Sequence, residues 1–210
     1  MEASRFPPVW RGAGPLVLAS SSESRRALFC AAGLEAESVA PEVDERALEE
    51  RYLAGDCALE DLAVELAQAK ALAVSAKRPN AYCIGADQTL TLDGRIFHQS
   101  SDLIEAARTL AALSGKTHRL ISAFCVARAG QALIVHRDHA DLRMRALDPD
   151  EISRYLERAG PGVLASVGAY QGEGLGIHLF DHIEGDHSVV LGLPMLGLLR
   201  WMRRENLISL

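Results

Sequence analysis

Asp87 sits in the stretch Ala81-Tyr82-Cys83-Ile84-Gly85-Ala86-Asp87-Gln88-Thr89-Leu90-Thr91-Leu92-Asp93-Gly94-Arg95. An apolar run climbs to this carboxylate, continues as an alternating strand and turns back at Asp93-Gly94, a strong hairpin signal. A carboxylate between apolar strand segments is costly to bury as an ion unless a metal or a basic side chain pairs with it. Other segments carry groups that suit such a charge. Ser20-Ser21-Ser22-Glu23-Ser24-Arg25-Arg26 joins clustered hydroxyls and two arginines at a helix start, where free N–H groups and the helix dipole favour an anion. The same residues suit an over-capped surface helix with solvated arginines, and the segment alone does not choose. It is not a P-loop, since the glycines and lysine of that pattern are absent. Pro41-Glu42-Val43-Asp44-Glu45 reads either as a metal or water site or, better when taken alone, as a solvated acidic turn. Lys70 lies among alanines on a helical stretch; it could reach a phosphate, but a lone helix lysine is usually just solvated. The glycine-rich run from Gly168 to Gly176 permits close backbone approach and would project Glu173, although a plain tight turn accounts for it equally well. The histidines His136, His139, His178, His182 and His187 lack the spacing of a zinc site.

The elements that must position these groups follow from capping and periodicity. Leu16–Ala19 reads as a short buried strand running into a helix that ends at Gly33. Glu35–Ala40 suits another strand. Leu59–Ala76 suits a helix, with Leu62, Leu66, Ala69 and Ala73 on one face. A helix from about Asp102 to Leu113 follows the Asp87 strands. Arg119–Ala127 and Ala132–Arg145 form a hairpin around Ala129-Gly130. Asp148-Pro149 opens another helix, Leu175–Ile183 reads as a strand, and Pro194 begins a terminal helix through Arg204. Hairpins mixed with helices, without strict βαβ alternation, indicate an α/β fold around a partly antiparallel sheet. Residues 1–14 read as a loose lead-in and 15–210 as a single domain.

With 210 residues, 49% hydrophobic and 24% charged, the chain can bury a substantial core. A net charge of -6 and 5% aromatic residues argue against a nucleic-acid partner, while leaving room for a small phosphorylated ligand in a local basic pocket. Cys30, Cys57, Cys83 and Cys125 show no Cys-x-x-Cys pairing and read as reduced core thiols. The N-terminus lacks the apolar core of a signal peptide and no stretch approaches a membrane span, so a cytoplasmic protein is expected.

Five segments occur in a recognisable order: Leu18-Ala19-Ser20-Ser21-Ser22-Glu23-Ser24-Arg25-Arg26, Val43-Asp44-Glu45, Leu66-Ala67-Gln68-Ala69-Lys70-Ala71, Gly85-Ala86-Asp87 and Gly192-Leu193-Pro194. In that order, from about Leu16 to Arg204, they resemble the Maf family of nucleoside triphosphate pyrophosphatases. The resemblance implies a mixed, elongated sheet with flanking helices and two lobes around a cleft, in a chain that often pairs as a homodimer. It implies hydrolysis of the α–β phosphoanhydride of a nucleoside triphosphate with a divalent metal, Mg²⁺ or Mn²⁺. In that reading Glu45 and Asp87 hold the metal, and Asp87 accepts the proton of the attacking water. Ser20, Ser22, Arg25 and Lys70 bind the phosphate tail, while Gln88 and Glu173 lie nearer the base or sugar. Gln88 after the aspartate and Glu173-Gly174-Leu175-Gly176-Ile177 look like the subgroup that prefers 7-methyl-GTP. Two departures stand out: Glu23 replaces a proline, and Gln99 replaces a phosphate-facing lysine. They motivate an alternative, a nucleotide-binding regulator of cell division with weakened catalysis.

Overall fold

A computed structural model describes residues 8–55 and 58–210 of the chain. Cys57 lies outside the described residues. Among the described residues, seven strands form one mixed sheet. Strand β1 (Leu16–Ala19) runs parallel to β2 (Glu37–Ser38) and to β3 (Tyr82–Leu92). Beyond β3 the sheet is antiparallel, through β5 (Thr117–Arg128), β6 (Gln131–Met144) and β7 (Phe180–Glu184). Short β4 (Arg95–Phe97) folds back on the end of β3. Its two turn residues, Asp93 and Gly94, both take positive φ (52° and 72°), as a tight turn matched to the strand twist requires. The β5–β6 turn uses Ala129 and Gly130 in the same way, as the sequence indicates.

The long strands carry helices on both faces. Helix α3 (Leu62–Lys77) lies across one face, burying Ala63, Ala67, Ala71 and Val74 against odd-numbered residues such as Cys83, Ala123 and Cys125. Its alanines allow a close approach, and Gly85 completes it. A Cβ at Gly85 would run into the Ala67 carbonyl and the Ala71 amide.

The opposite face holds two cores. At one end, α1 (Glu23–Ala31) and α7 (Met195–Arg204) pack Phe29, Leu198, Trp201 and Met202 against Leu16, Leu18, Ile84 and Phe124. At the other, α4 (Leu103–Leu113) and α5 (Pro149–Ala159) pack Leu110, Leu113, Ile152 and Leu156 against Leu90, Leu92, Leu120 and Leu142. The fold is therefore α/β, with two lobes built on shared strands. Helix α5 starts as the sequence indicates: Asp148 and Glu151 form a reciprocal capping box, with Pro149 in the first turn.

Five sequence expectations need correction. The 35–40 strand shrinks to Glu37–Ser38, because β2 is an edge strand paired only with β1. The 175–183 strand divides into a 3-10 turn, Leu175–Leu179, followed by β7. Gly176 packs against the Gln171 backbone there, in a curl that an extended strand could not make. The acidic loop ends sooner than expected, since Glu45 is the first residue of α2 (Glu45–Leu53). That helix buries no residue, so apolar periodicity gave no sign of it. Cys83 and Cys125 are buried thiols, but Cys30 is exposed on α1. The described part of the N-terminal lead-in is anchored: Trp10 bridges to Ile208 and packs edge-on to Tyr82, with ring centroids 5.2 Å apart.

Candidate active site

Strands β1 and β3 stay paired only as far as Ala19 and Gly85. Two residues further on, Asp87 stands where β1 has already turned away into α1. Between the lobes this divergence opens a cleft of about 1040 Å³. Its walls include Ser20, Ser22, Arg25, Glu45, Lys70, Asp87, Gln88, Gln99 and Glu173, so the fold brings every sequence-selected residue to one cavity.

At the floor, the tight α3–β3 contact sets Lys70 beside Asp87. The Lys70 ammonium donates to Asp87 Oδ1 at 2.8 Å, and Glu45 Oε2 lies 2.8 Å from the same nitrogen. Lys70 is only 5% exposed, so it is not the solvated helix lysine that its isolated sequence context suggests. Asp44 caps α2 by accepting the Ala47 N–H at 3.0 Å, and this aims Glu45, the first helical residue, at Lys70.

Arg25 completes the centre. Its Nε donates to the Gly192 carbonyl at 2.9 Å, Nη1 reaches Ser20 Oγ at 3.4 Å, and Nη2 lies 3.9 Å from Asp87 Oδ1. Burial pulls the Arg25 pKa down from its usual value, while Asp87 and then Glu45 push it back up. A guanidinium so paired stays protonated at neutral pH. Ser22 is the N-cap of α1, accepting the Arg25 N–H at 3.4 Å, and Ser20 Oγ accepts the Ser22 N–H at 3.2 Å. The serine segment is thus a capped helix start that also faces the cleft.

The remaining selected residues lie higher. The Gln88 side-chain amide donates to the carbonyls of Val189 (2.8 Å) and Val190 (3.1 Å) in α6 (His187–Val190), and to Ser122 Oγ at 3.0 Å. Its NH₂ group therefore ties α6 to the sheet. Glu173 accepts from Ser24 Oγ at 2.9 Å, joining the glycine-rich loop to α1 across the cleft mouth. Gln99 lies on the rim, where its Nε2 donates to the Ala165 carbonyl at 2.9 Å. Near it His98 lines the cleft beside Glu49, whereas Lys116 pairs with Asp93 at 3.7 Å. Ser122 and Gly192, which fix Gln88 and Arg25, were not singled out as site residues from sequence. The Gly192-Leu193-Pro194 motif was the signal for one of them; Ser122 left none.

Among the described residues no group of three His, Cys, Asp or Glu side chains is disposed to hold a metal. The donor set is two carboxylates, Glu45 and Asp87. This fits a hard divalent cation such as Mg²⁺, which commonly takes one or two protein carboxylates and completes its shell with phosphate oxygens and water. It does not fit a closed structural site.

These features define a mixed α/β protein with a buried cation–carboxylate centre at the floor of an interlobe cleft. The chain belongs to the Maf-like protein family, whose model matches residues 15–205. It is 47% identical over 205 residues to the nucleoside triphosphate pyrophosphatase of Nitrobacter hamburgensis, covering 96% of this chain and 99% of that protein. It is 48% identical over 188 residues to the 7-methyl-GTP pyrophosphatase of Mesorhizobium japonicum, covering 90% and 94%. It is 50% identical over 194 residues to the 7-methyl-GTP pyrophosphatase of Rhizobium etli, covering 92% and 98%. Among the described residues, no helix is long and apolar enough to cross a membrane.

Proposed function

We propose that this cleft hydrolyses the α–β phosphoanhydride of a nucleoside triphosphate, releasing the monophosphate and pyrophosphate, with 7-methyl-GTP among its substrates. The observation that carries the reading is the buried Lys70 ammonium held between Glu45 and Asp87, with Arg25 behind them. The names of the relatives support the reaction class and, for some, the methylated substrate.

The attack of water on a phosphorus surrounded by negative oxygens is mainly a problem of positioning and charge neutralisation. The phosphate tail lies along the start of α1, where the first-turn N–H groups, the Ser20 and Ser22 hydroxyls and Arg25 receive it. Asp87, on the floor, takes the proton of the water as its oxygen bonds to phosphorus and the bond to the departing pyrophosphate breaks. Lys70 and Arg25 offset the charge that accumulates between attacking and leaving oxygens. Before substrate arrives, these two cations are balanced by the two carboxylates, so a triphosphate brings charge in excess. Glu45 and Asp87 are the residues that would hold Mg²⁺ or Mn²⁺, and such a cation would supply further charge neutralisation and Lewis-acid polarisation. Glu173, at the mouth, is placed to meet the nucleoside end, and a carboxylate suits the cationic ring of 7-methylguanine.

The test is pyrophosphate release from a nucleotide panel that includes 7-methyl-GTP, with Asp87→Asn beside the wild type. The expected result is turnover that the variant loses. Full activity in Asp87→Asn would remove Asp87 from its role. Nucleotide binding without turnover at several metal concentrations would replace the reading with that of a regulatory nucleotide-binding protein.

A further inference from the structure

The glycine-rich loop at the cleft mouth hangs on a buried polar pair outside the reaction centre. His118, on β5, is 1% exposed, and its Nε2 lies 2.7 Å from the Tyr170 hydroxyl. Phe180 encloses both rings: Tyr170 meets it edge-on with centroids 4.8 Å apart, and His118 lies 5.9 Å away. Burial pulls the imidazole down to about 4 and raises the Tyr170 hydroxyl, so both groups are neutral at pH 7 and share one hydrogen bond.

The pair is an expensive way to fill a core. His118 Nδ1 is buried with no hydrogen-bond partner among the described residues, and an apolar ring would carry no such penalty. What the imidazole gains is a fixed point for Tyr170. Residues 168, 170, 171, 172 and 173 all line the cleft, and Tyr170 is the large buried side chain among them. On its two sides lie Gly168, Gly172 and Gly174, which leave the backbone pliable. Glu173, three residues past Tyr170, makes the Ser24 contact across the mouth. Polar residues kept against the interest of packing mark positions where function constrains the fold.

We propose that His118 and Tyr170 are a positioning pair for substrate: their hydrogen bond sets the height of the 168–174 loop over the cleft and so presents Gln171 and Glu173 to the nucleoside end of a bound nucleotide. Neither residue touches the reacting phosphorus. The inference rests on the nucleotide reading of the cleft, and its test separates the two.

Tyr170→Phe keeps the ring and removes the hydroxyl; His118→Phe keeps the bulk and removes the ring nitrogen that meets it; His118→Gln restores a polar atom at similar reach. Two quantities are measured: amide exchange of the 168–174 segment without ligand, and calorimetric affinity for an α,β-methylene nucleoside triphosphate, which cannot be cleaved between those phosphates. Both Phe variants should speed loop exchange and weaken affinity by about threefold to tenfold, the weight of one neutral hydrogen bond. Exchange across α3 should be unchanged. The double variant should be no worse than either single one, and His118→Gln should lie within about twofold of wild type. With 7-methyl-GTP, the effect should fall on KM rather than kcat. Unchanged loop exchange in both Phe variants, independent multiplying effects in the double variant, or failure of His118→Gln to rescue would each overturn the tether. A wild type that binds the analogue but releases no pyrophosphate would count against the catalytic reading alone. A wild type that binds no nucleotide would end both.

Discussion

Replacing Lys70 with methionine keeps an unbranched side chain one atom shorter and deletes the charge that two carboxylates share. In the folded protein the Lys70 ammonium lies 2.8 Å from each of Asp87 and Glu45, so their nearest oxygens are at most about 5.6 Å apart. At an effective dielectric near 20, two like charges at that separation repel by about 3 kcal/mol. The Glu45 side chain is 50% exposed, and solvent screening reduces its share to about 1 kcal/mol. Asp87, with a side chain 13% exposed, suffers more, because a buried ion loses its closest partner. Arg25 remains at 3.9 Å and caps that loss near the lower end of the range for broken buried pairs, about 3 kcal/mol. Lys70→Met should therefore lower the unfolding free energy by about 3 kcal/mol and reduce kcat/KM for pyrophosphate release by at least about 100-fold. Urea denaturation and a coupled pyrophosphate assay on the same preparation read both numbers. A variant within about threefold of wild-type kcat/KM and about 0.5 kcal/mol of its stability would refute the charge-centre argument.

Three further outcomes follow from the same structure. Gly85→Ala should push α3 off β3, costing about 1–3 kcal/mol in urea unfolding and separating Lys70 from Asp87, so that activity falls with stability; a fully active, equally stable variant would contradict the close approach. Gln99→Lys adds a cation at the cleft rim and should lower KM for the triphosphate by several-fold, the more so at low ionic strength, and a KM insensitive to salt and substitution would place residue 99 outside the phosphate path. His118 is held near 4 in the fold against an ordinary value of 6.5. Between those values the unfolded chain binds the extra proton, so this contribution is fully present above about pH 6.5 and fades as the pH falls to about 4, a loss of about 3 kcal/mol. Urea unfolding from pH 7 to pH 4 should show that acid-sensitive component in wild type and not in His118→Phe; parallel curves would exclude it.

The sequence by itself marked Asp87 and the serine-rich helix start locally, whereas Glu45, Lys70, Gln88 and Gln99 were picked out only through the resemblance of ordered motifs to a family. Asp87 interrupts an apolar strand, the serines precede a helix, and Asp93-Gly94 and Ala129-Gly130 announce their turns. It also set the fold class, since hairpins and helical periodicities are written in consecutive residues. It could not show that Lys70 is buried, because burial depends on Gly85, fifteen residues further along the chain, letting α3 settle onto β3. It passed over α2, whose residues bury nothing, and it read a strand through Leu175–Leu179, where contact with Gln171 curls the chain instead. Gln88 shows the same division. Its position next to Asp87 is sequence, but the turn of its amide toward Val189 and Val190 was decided by where α6 came to rest. Charge types and spacings are local properties of the chain. Which charge becomes buried, and opposite what, depends on the packing of distant segments, and the tertiary structure alone resolves it.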